Sequence, residues 1–329
     1  MKPLTLGVGL ITYNGLKYLP QQLESIVSQS RAVDHIVVSD DRSTDGTWEF
    51  LEEWATQSTV RVTLIRNEQQ LGLSRNFEQA VAAVEADIVF SSDQDDVWFP
   101  DKVALLAAVF ERDPDVLLAH TDAMLVDAQG KDMGTTLLGE LELSDAERAA
   151  ISKGNAFEVY FRRNVVTGAT AAFRKSLLEL ARPLPANLYH DAWLAFMAAA
   201  TGKVQLLDVP MIAYRQHGAN LVGVKKLGAV AKLRRFWWQM QGKRSLKAVV
   251  RNIVAQRAIL LERLIAHPSV APSCMERAAQ ALEFAKRREA LPDNAVTRTR
   301  TVLSDAFAGY YGRFSYEPWS DALHDVLNK

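Results

Sequence analysis

Four short apolar runs, Leu6–Ile11, Asp34–Ser39, Val60–Ile65 and Asp87–Phe90, are spaced along the first 90 residues. A segment of different periodicity follows each of the first three: Leu16, Leu19, Leu23, Ile26 and Val27 repeat at helical spacing, Ser43–Thr47 reads as a turn capping a helix to about Thr56, and Asn76–Val84 is amphipathic. Continuous apolar runs of this length suit parallel strands buried on both faces, and their alternation with helices predicts a doubly wound, mostly parallel α/β sheet. Every run ends in polar residues: Thr12-Tyr13-Asn14, Asp40-Asp41, the loop Asn67–Ser74, and Ser91-Ser92-Asp93-Gln94-Asp95-Asp96. Ligands of open α/β sheets bind outside the carboxyl ends of the strands, so these clusters are predicted to share one site.

The acidic cluster is the most demanding of them. Asp93 and Asp95 stand at a spacing that lets two carboxylates, or one and a metal-bound water, share a hard divalent ion. Asp96 reads as a supporting or capping residue. A carboxylate at Asp41 can accept a hydrogen bond from a nucleobase N–H, with Thr12, Tyr13 and Asn14 supplying stacking and polar contacts beside it. Arg75, expected to open a helix, is unfavourable to the helix dipole unless an anion such as phosphate sits there.

Beyond Trp98, a helix is expected from Pro100 to about Arg112 and a strand over Val116–Val126. Residues 135–160 show no clear period and read as a mobile insertion. Strand character returns over Val165–Phe173, 204–207 and 212–214, with an apolar helix opening at Tyr189-His190-Asp191. Asp191 is a candidate general base, while His217 taken alone is more readily a structural histidine. From Lys225 onward the pattern is helical. Leu246, Val250, Ile253, Leu260 and Leu264 form one stripe opposite Arg244, Lys247 and Arg251, and Lys232–Trp238 mixes cations with aromatics as at a membrane interface.

Charge divides the chain. Residues 1–223 carry 19 basic and 30 acidic side chains, a net of −11, whereas 224–329 carry 19 and 9, a net of +10. The expected organisation is therefore a catalytic body over 1–223, with a nucleotide-binding half to about 125 and an acceptor half from 126, followed by a basic helical region over 224–329. That region points to an anionic membrane surface, and a nucleic-acid partner is not expected. The lone Cys274 reads as an inert buried thiol in a reducing compartment. No run approaches the roughly 20 apolar residues of a membrane span, so a cytoplasmic protein, peripheral on the inner face of the membrane, is expected. Phosphate-loop, zinc-protease and serine-hydrolase motifs are absent.

The ordered set Thr12-Tyr13-Asn14, Ser39–Thr47, Ser92–Trp98, His190-Asp191-x-Trp193 and Tyr214-Arg215-Gln216-His217 resembles the family 2 glycosyltransferases over roughly residues 4–220. The resemblance implies a GT-A fold, an inverting mechanism, a nucleoside-diphosphate sugar donor, and Mg²⁺ or Mn²⁺. It implies that Thr12, Tyr13, Asn14 and Asp41 hold the nucleoside, that Arg75, Asp93 and Gln94 lie along the donor, that Asp93, Asp95 and His217 bind the metal, and that Asp191 is the base. Many members carry two acids where this chain has His190-Asp191, so only Asp191 keeps a carboxylate. Ser-Asp-Gln-Asp-Asp-Val-Trp and Tyr-Arg-Gln-His resemble rhamnosyltransferases of bacterial surface polysaccharides, which implies a saccharide or lipid-linked saccharide acceptor. The alternatives are a sugar-nucleotide-forming nucleotidyltransferase, which would want more glycine after the first strand, and a non-catalytic membrane scaffold.

Overall fold

The computed structural model describes residues 3–185, 188–217, 246–268, 270–315 and 317–327. Two compact units compose the chain, one of Met1–Tyr160 and Asn164–Val224, the other of Phe161–Arg163 and Lys225–Lys329. Expectations for the end of the loop beyond His217, for Lys232–Trp238 and for Arg244 lie outside the described residues.

The first unit is built on β1 (Leu6–Thr12), α1 (Leu19–Val27), β2 (His35–Asp40), α2 (Thr47–Gln57), β3 (Arg61–Arg66), α3 (Leu73–Ala83) and β4 (Ile88–Ser92). Strands β3, β2, β1 and β4 lie side by side in that order and all parallel. Every residue of β1, β2 and β4 is buried, as expected of strands covered on both faces. Gly7 and Gly9 of β1 are there for close approach. A Cβ on Gly7 would lie 2.3 Å from Val84 Cγ1, and one on Gly9 would lie 2.7 Å from Val81 Cγ1, so both glycines let the α3 segment rest directly on the strand.

The sheet continues through β5 (Val97–Trp98), β6 (Val116–Val126), β7 (Asp132–Thr136), β8 (Ala171–Arg174) and β9 (Lys203–Arg215). Its order is β3-β2-β1-β4-β8-β6-β9-β5, with β7 hydrogen-bonded to β6. Strand β8 is antiparallel to β4 and to β6, β9 is parallel to β6, and β5 is antiparallel to β9. Most strands thus run one way, and β8, β5 and β7 run the other. Strand β9 is continuous where two strands were expected, because shifts in its register with β6 let it bend past Asp208 to Pro210 without ending.

Helices surround this sheet. Helix α4 (Lys102–Arg112) begins two residues after Pro100. The 135–160 stretch, expected as a mobile insertion, instead forms α5 (Leu137–Glu140), α6 (Asp145–Ser152) and α7 (Ala156–Tyr160), with Leu137, Leu138, Ile151, Val159 and Tyr160 buried. These helices are too short to display a period. The capping box of Ser144 and Glu147 opens α6, and apolar burial holds the group in place. The expected strand over Val165–Phe173 is realised only from Ala171, after a 3₁₀ turn at Gly168–Thr170. Helix α8 (Lys175–Ala181) precedes α9 (His190–Thr201).

The second unit is helical: α10 (Leu246–Ile265), α11 (Pro272–Glu289), α12 (Ala295–Phe307), α13 (Tyr310–Phe314) and α14 (Pro318–Leu327). Val250, Leu260 and Leu264 of the expected α10 stripe are buried. Arg288 and Asp325 form a buried bidentate ion pair at 2.6 and 3.1 Å, and Tyr311 Oη donates to the same carboxylate at 2.6 Å. Cys274 is half-buried rather than enclosed. Among the described residues no helix is long and apolar enough to cross a membrane.

Candidate active site

The strand register puts the polar clusters on one edge. Thr12 is level with Asp40, and Leu10 with Ser92, so the loops after β1, β2 and β4 leave the sheet together. Backbone and side chains stitch the first two loops into one surface. Asn14, in the left-handed region at φ +50°, accepts from Thr44 N at 2.8 Å through Oδ1 and donates its own N–H to Ser43 Oγ. Gly15 N donates to Thr47 Oγ1, and Leu16 N to Asp45; burial would raise the Asp45 carboxyl, but hydrogen bonds from Thr47 Oγ1, Thr47 N and Leu16 N outweigh it and hold it below the usual range. Asp40 is wholly buried and accepts from Ser43 N and Oγ, the work of a turn residue.

Asp41 lies next to it with a different task. Its Oδ1 accepts from Asn67 Nδ2 at 2.9 Å and Leu71 N at 2.7 Å, and its Oδ2 accepts from Gly72 N at 2.9 Å. The carboxylate therefore holds the loop that leads into α3. Gly72, at φ +79°, turns the chain so that the helix starts at Leu73, earlier than expected. Arg75 is consequently exposed within the first turn rather than the residue that opens the helix. Thr12 is buried, whereas Tyr13 is 45% exposed and presents a ring to solvent.

Gln94 locks the acidic loop to β1. Its Oε1 accepts from Thr12 Oγ1 at 2.6 Å and Tyr13 N at 2.8 Å, while its Nε2 donates to Tyr13 O at 3.1 Å. Gly15 makes room for it: a Cβ there would sit 2.1 Å from Gln94 Oε1. On the far side of the loop, the antiparallel pair β5 and β9 joins the acids to the Tyr214–His217 segment. Asp96 Oδ1 accepts from Arg215 N at 3.0 Å, and Arg215 Nε donates to Asp95 O at 2.8 Å. Tyr18 takes the Arg215 guanidinium over its ring at 4.7 Å and stacks on His217 at 5.1 Å.

Asp95 Oδ2 and His217 Nε2 are 2.7 Å apart. Asp191, second residue of α9, accepts from Ala192 N at 2.6 Å, Asn164 Nδ2 at 3.1 Å and Gly168 N at 3.2 Å. It is near enough to Asp93 for their charges to interact. Burial first, then Asp95 and Asp191, push the Asp93 carboxyl up to about 7. Burial raises the buried Tyr214 hydroxyl too, helped by Asp93, Asp96, Asp95 and Asp191, so one tyrosine senses all four acids. His190 stacks on Phe77 at 3.8 Å, its buried Nδ1 finds no hydrogen-bond partner among the described residues, and burial lowers its basicity against the opposing charge of Asp191.

The sequence matches the family described as Glycosyl transferase family 2 over residues 8–180. The chain belongs to glycosyltransferase family 2. An uncharacterized glycosyltransferase of Nostoc sp. is 26% identical over 66% of this chain and 66% of its own length. The dTDP-rhamnosyl transferase RfbG of Shigella flexneri is 33% identical over 29% of this chain and 34% of its own, and the abequosyltransferase RfbV of Salmonella typhimurium is 27% identical over 51% and 50%. The family 2 chain thus spans from about a third to just under two thirds of the length of these relatives. Among solved structures, S. aureus TarS in complex with UDP-GlcNAc superimposes with a TM-score of 0.55 at 17% identity, covering 98% of this chain and 80% of that one. The mannosyltransferase PcManGT from Pyrobaculum calidifontis, in complex with GDP-Man and Mn²⁺, superimposes with a TM-score of 0.52 at 17% identity, covering 98% and 87%. At such identity the likeness speaks to the fold, which is of the GT-A type.

Among the described residues no three His, Cys, Asp or Glu side chains converge into a ready metal cage. Asp95 Oδ2 and His217 Nε2, however, converge as a two-ligand pair, and Asp93 adds charge from outside it. Mg²⁺-type sites commonly take one or two carboxylates and complete their shell with phosphate oxygens and water.

Tyr18 and Lys102 carry no site signal in the sequence, and Ser91 and Arg215 stand there only as parts of their motifs. Arg215 reaches Asp95 O and the Tyr18 ring, and Ser91 reaches Gly168 O, each from far along the chain. Lys102 is wholly buried on α4, with Nζ 2.7 Å from Ala169 O and 3.6 Å over the Trp98 ring. The sequence shows only its position on the apolar face of α4, in line with Val103, Leu106, Ala107 and Phe110.

Proposed function

We propose that the chain is an inverting glycosyltransferase that moves a sugar from a nucleoside-diphosphate sugar to an acceptor hydroxyl in the assembly of a bacterial surface polysaccharide or glycolipid. The observation that carries the reading is the convergence of Asp93, Asp95, Asp191 and His217 around Tyr214 at the carboxyl edge of the sheet. Two further facts support it: the family match, and the nucleotide sugars named for the superimposable structures. A dTDP-sugar such as dTDP-rhamnose is the first donor to test, because one relative is named for that chemistry.

In this reading Thr12, Tyr13, Asn14 and Asp41 border the nucleoside, with the exposed Tyr13 ring available for stacking. Arg75, Asp93 and Gln94 lie along the donor, Gln94 chiefly by fixing the loop to β1. Asp95 and His217 would hold Mg²⁺ or Mn²⁺, which supplies positive charge to the departing diphosphate. Asp191 accepts the proton of the acceptor hydroxyl as that oxygen attacks the anomeric carbon from the face opposite the diphosphate. The C–O bond to the diphosphate breaks as the new glycosidic bond forms, which inverts the configuration. Three hydrogen bonds to the Asp191 carboxylate keep it oriented for that transfer. The basic 224–329 region is assigned to peripheral contact with anionic membrane, on its net charge of +10.

Thermal shift with UDP, dTDP and GDP, and with their sugars, in Mn²⁺ or Mg²⁺ tests the donor assignment, since a ligand that binds only the folded state raises the melting temperature. The expected result is a rise with one nucleoside diphosphate that is abolished by chelator. No rise with any member of the panel would sink the donor reading, and a rise indifferent to chelator would sink the metal assignment.

A further inference from the structure

We propose that Lys102 is a positioning residue for the acceptor base: by holding Ala169 O it fixes the turn that presents the Gly168 N–H to Asp191, and so ties the base to the donor-binding loop. The inference rests on the reading of Asp191 given above. Burying a lysine head group is costly unless the group is matched, so the residue is there for its head and not for its stem. Nζ donates to Ala169 O at 2.7 Å and sits over the Trp98 ring at 3.6 Å, while every neighbour on that face of α4 is apolar. Burial drives the Lys102 ammonium well below its ordinary range, against the opposing charges of Asp96 and Asp93.

The turn at Gly168–Thr170 has two struts, both from the stretch that carries the acidic loop. Lys102 is one. Ser91 is the other, its Oγ donating to Gly168 O at 2.7 Å and approaching Ala171 O at 3.2 Å. The turn is closed by Thr170 Oγ1 on Thr167 O at 2.8 Å. Its outer face presses on the start of α9: a Cβ on Gly168 would lie 3.0 Å from His190 Nε2 and 4.0 Å from Asp191 Cβ. From there Gly168 N donates to Asp191 Oδ2. A shift of the turn would therefore move the carboxylate, and a displacement of about 1 Å at a reacting group can cost 10²-fold in rate.

The test is a double-mutant cycle of Lys102→Met with Asp191→Asn. It is read as nucleoside diphosphate release from whichever sugar nucleotide of the dTDP and UDP panel the wild type consumes, together with calorimetric Kd values for dTDP and UDP with Mn²⁺. Lys102→Met is expected to lower kcat about 10- to 100-fold, to leave the nucleoside diphosphate Kd within about threefold, and to add little in the Asp191→Asn background. Ser91→Ala, which removes the other strut, should show the same split more weakly and stands in if Lys102→Met does not fold. Wild-type kcat in a folded Lys102→Met protein overturns the proposal. So does a loss that is fully additive with Asp191→Asn, or kcat and Kd failing in step. An active Asp191→Asn enzyme overturns both this proposal and the base assignment beneath it.

Discussion

Replacing Asp191 with asparagine separates chemistry from structure at the centre of the site. Its Oδ1 accepts from Ala192 N and Asn164 Nδ2, and its Oδ2 from Gly168 N. An amide can keep its oxygen toward the first two donors, but its NH₂ then faces the Gly168 N–H. One hydrogen bond is lost, worth about 1 kcal/mol, and removing a negative charge from the first turn of α9 forfeits about 0.3 to 1 kcal/mol more. The folded state should weaken by about 1 to 2 kcal/mol, a fall of several degrees in Tm at roughly 2 to 4 °C per kcal/mol. General-base catalysis is worth about 10² to 10⁴ in rate, or about 2.7 to 5.5 kcal/mol of barrier. At 25 °C Asp191→Asn should therefore be folded, bind nucleoside diphosphate as the wild type does, and turn over 10²- to 10⁴-fold more slowly. Steady-state kinetics with a parallel melting curve and calorimetric titration decide the matter. Turnover within a few fold of wild type in a folded variant would refute the base assignment, and loss of nucleotide affinity in step with kcat would refute the separation of donor and base.

Other expectations follow from single contacts. Gly15→Ala should drive Gln94 off Thr12 and Tyr13, because the added Cβ would meet Gln94 Oε1 at 2.1 Å; weakened nucleoside diphosphate binding with an intact fold, read by calorimetry and circular dichroism, is expected. Asp325→Ala leaves the buried Arg288 guanidinium only its looser 3.8 Å contact with Asp321 and removes the acceptor of Tyr311, so a loss of about 3 kcal/mol should appear in urea unfolding of the second unit. His120 is buried against Tyr160 Oη at 2.7 Å, and burial lowers its pKa from 6.5 to about 3. Between those values the unfolded chain binds a proton that the folded chain does not, so stability rises with pH through the window and falls as pH drops from 6.5 toward 3. The His120 contribution is at most about 4 to 5 kcal/mol, and unfolding midpoints of a His120→Phe, Tyr160→Phe pair should depend less on pH than those of the wild type.

Much of the edge could be read from residue order alone because its determinants are local. The runs ending at Thr12, Asp40 and Ser92 announce parallel strands by continuous apolarity, and each strand delivers its polar cluster to the same edge once the strands are parallel. The 137–160 helices escaped because none exceeds eight residues; only the Ser144-x-x-Glu147 capping box was there to be noticed. Lys102 escaped for the opposite reason, since a single lysine in an apolar helix face reads as a helix boundary until its burial is seen.

The sequence by itself determined the strand and helix alternation, the identity of the acids and histidine at the edge, and the division of charge between the two parts of the chain. Tertiary structure alone decided which of them meet. Val97 pairs with Ala213 across the sheet, and only that long-range antiparallel contact sets Asp95 against His217 and Asp96 against Arg215. The turn at Gly168 likewise meets Asp191 only because β8 runs antiparallel between β4 and β6. Such pairings depend on register and packing between residues far apart in the chain, from His120 with Ala171 to Val97 with Ala213, which no local periodicity encodes.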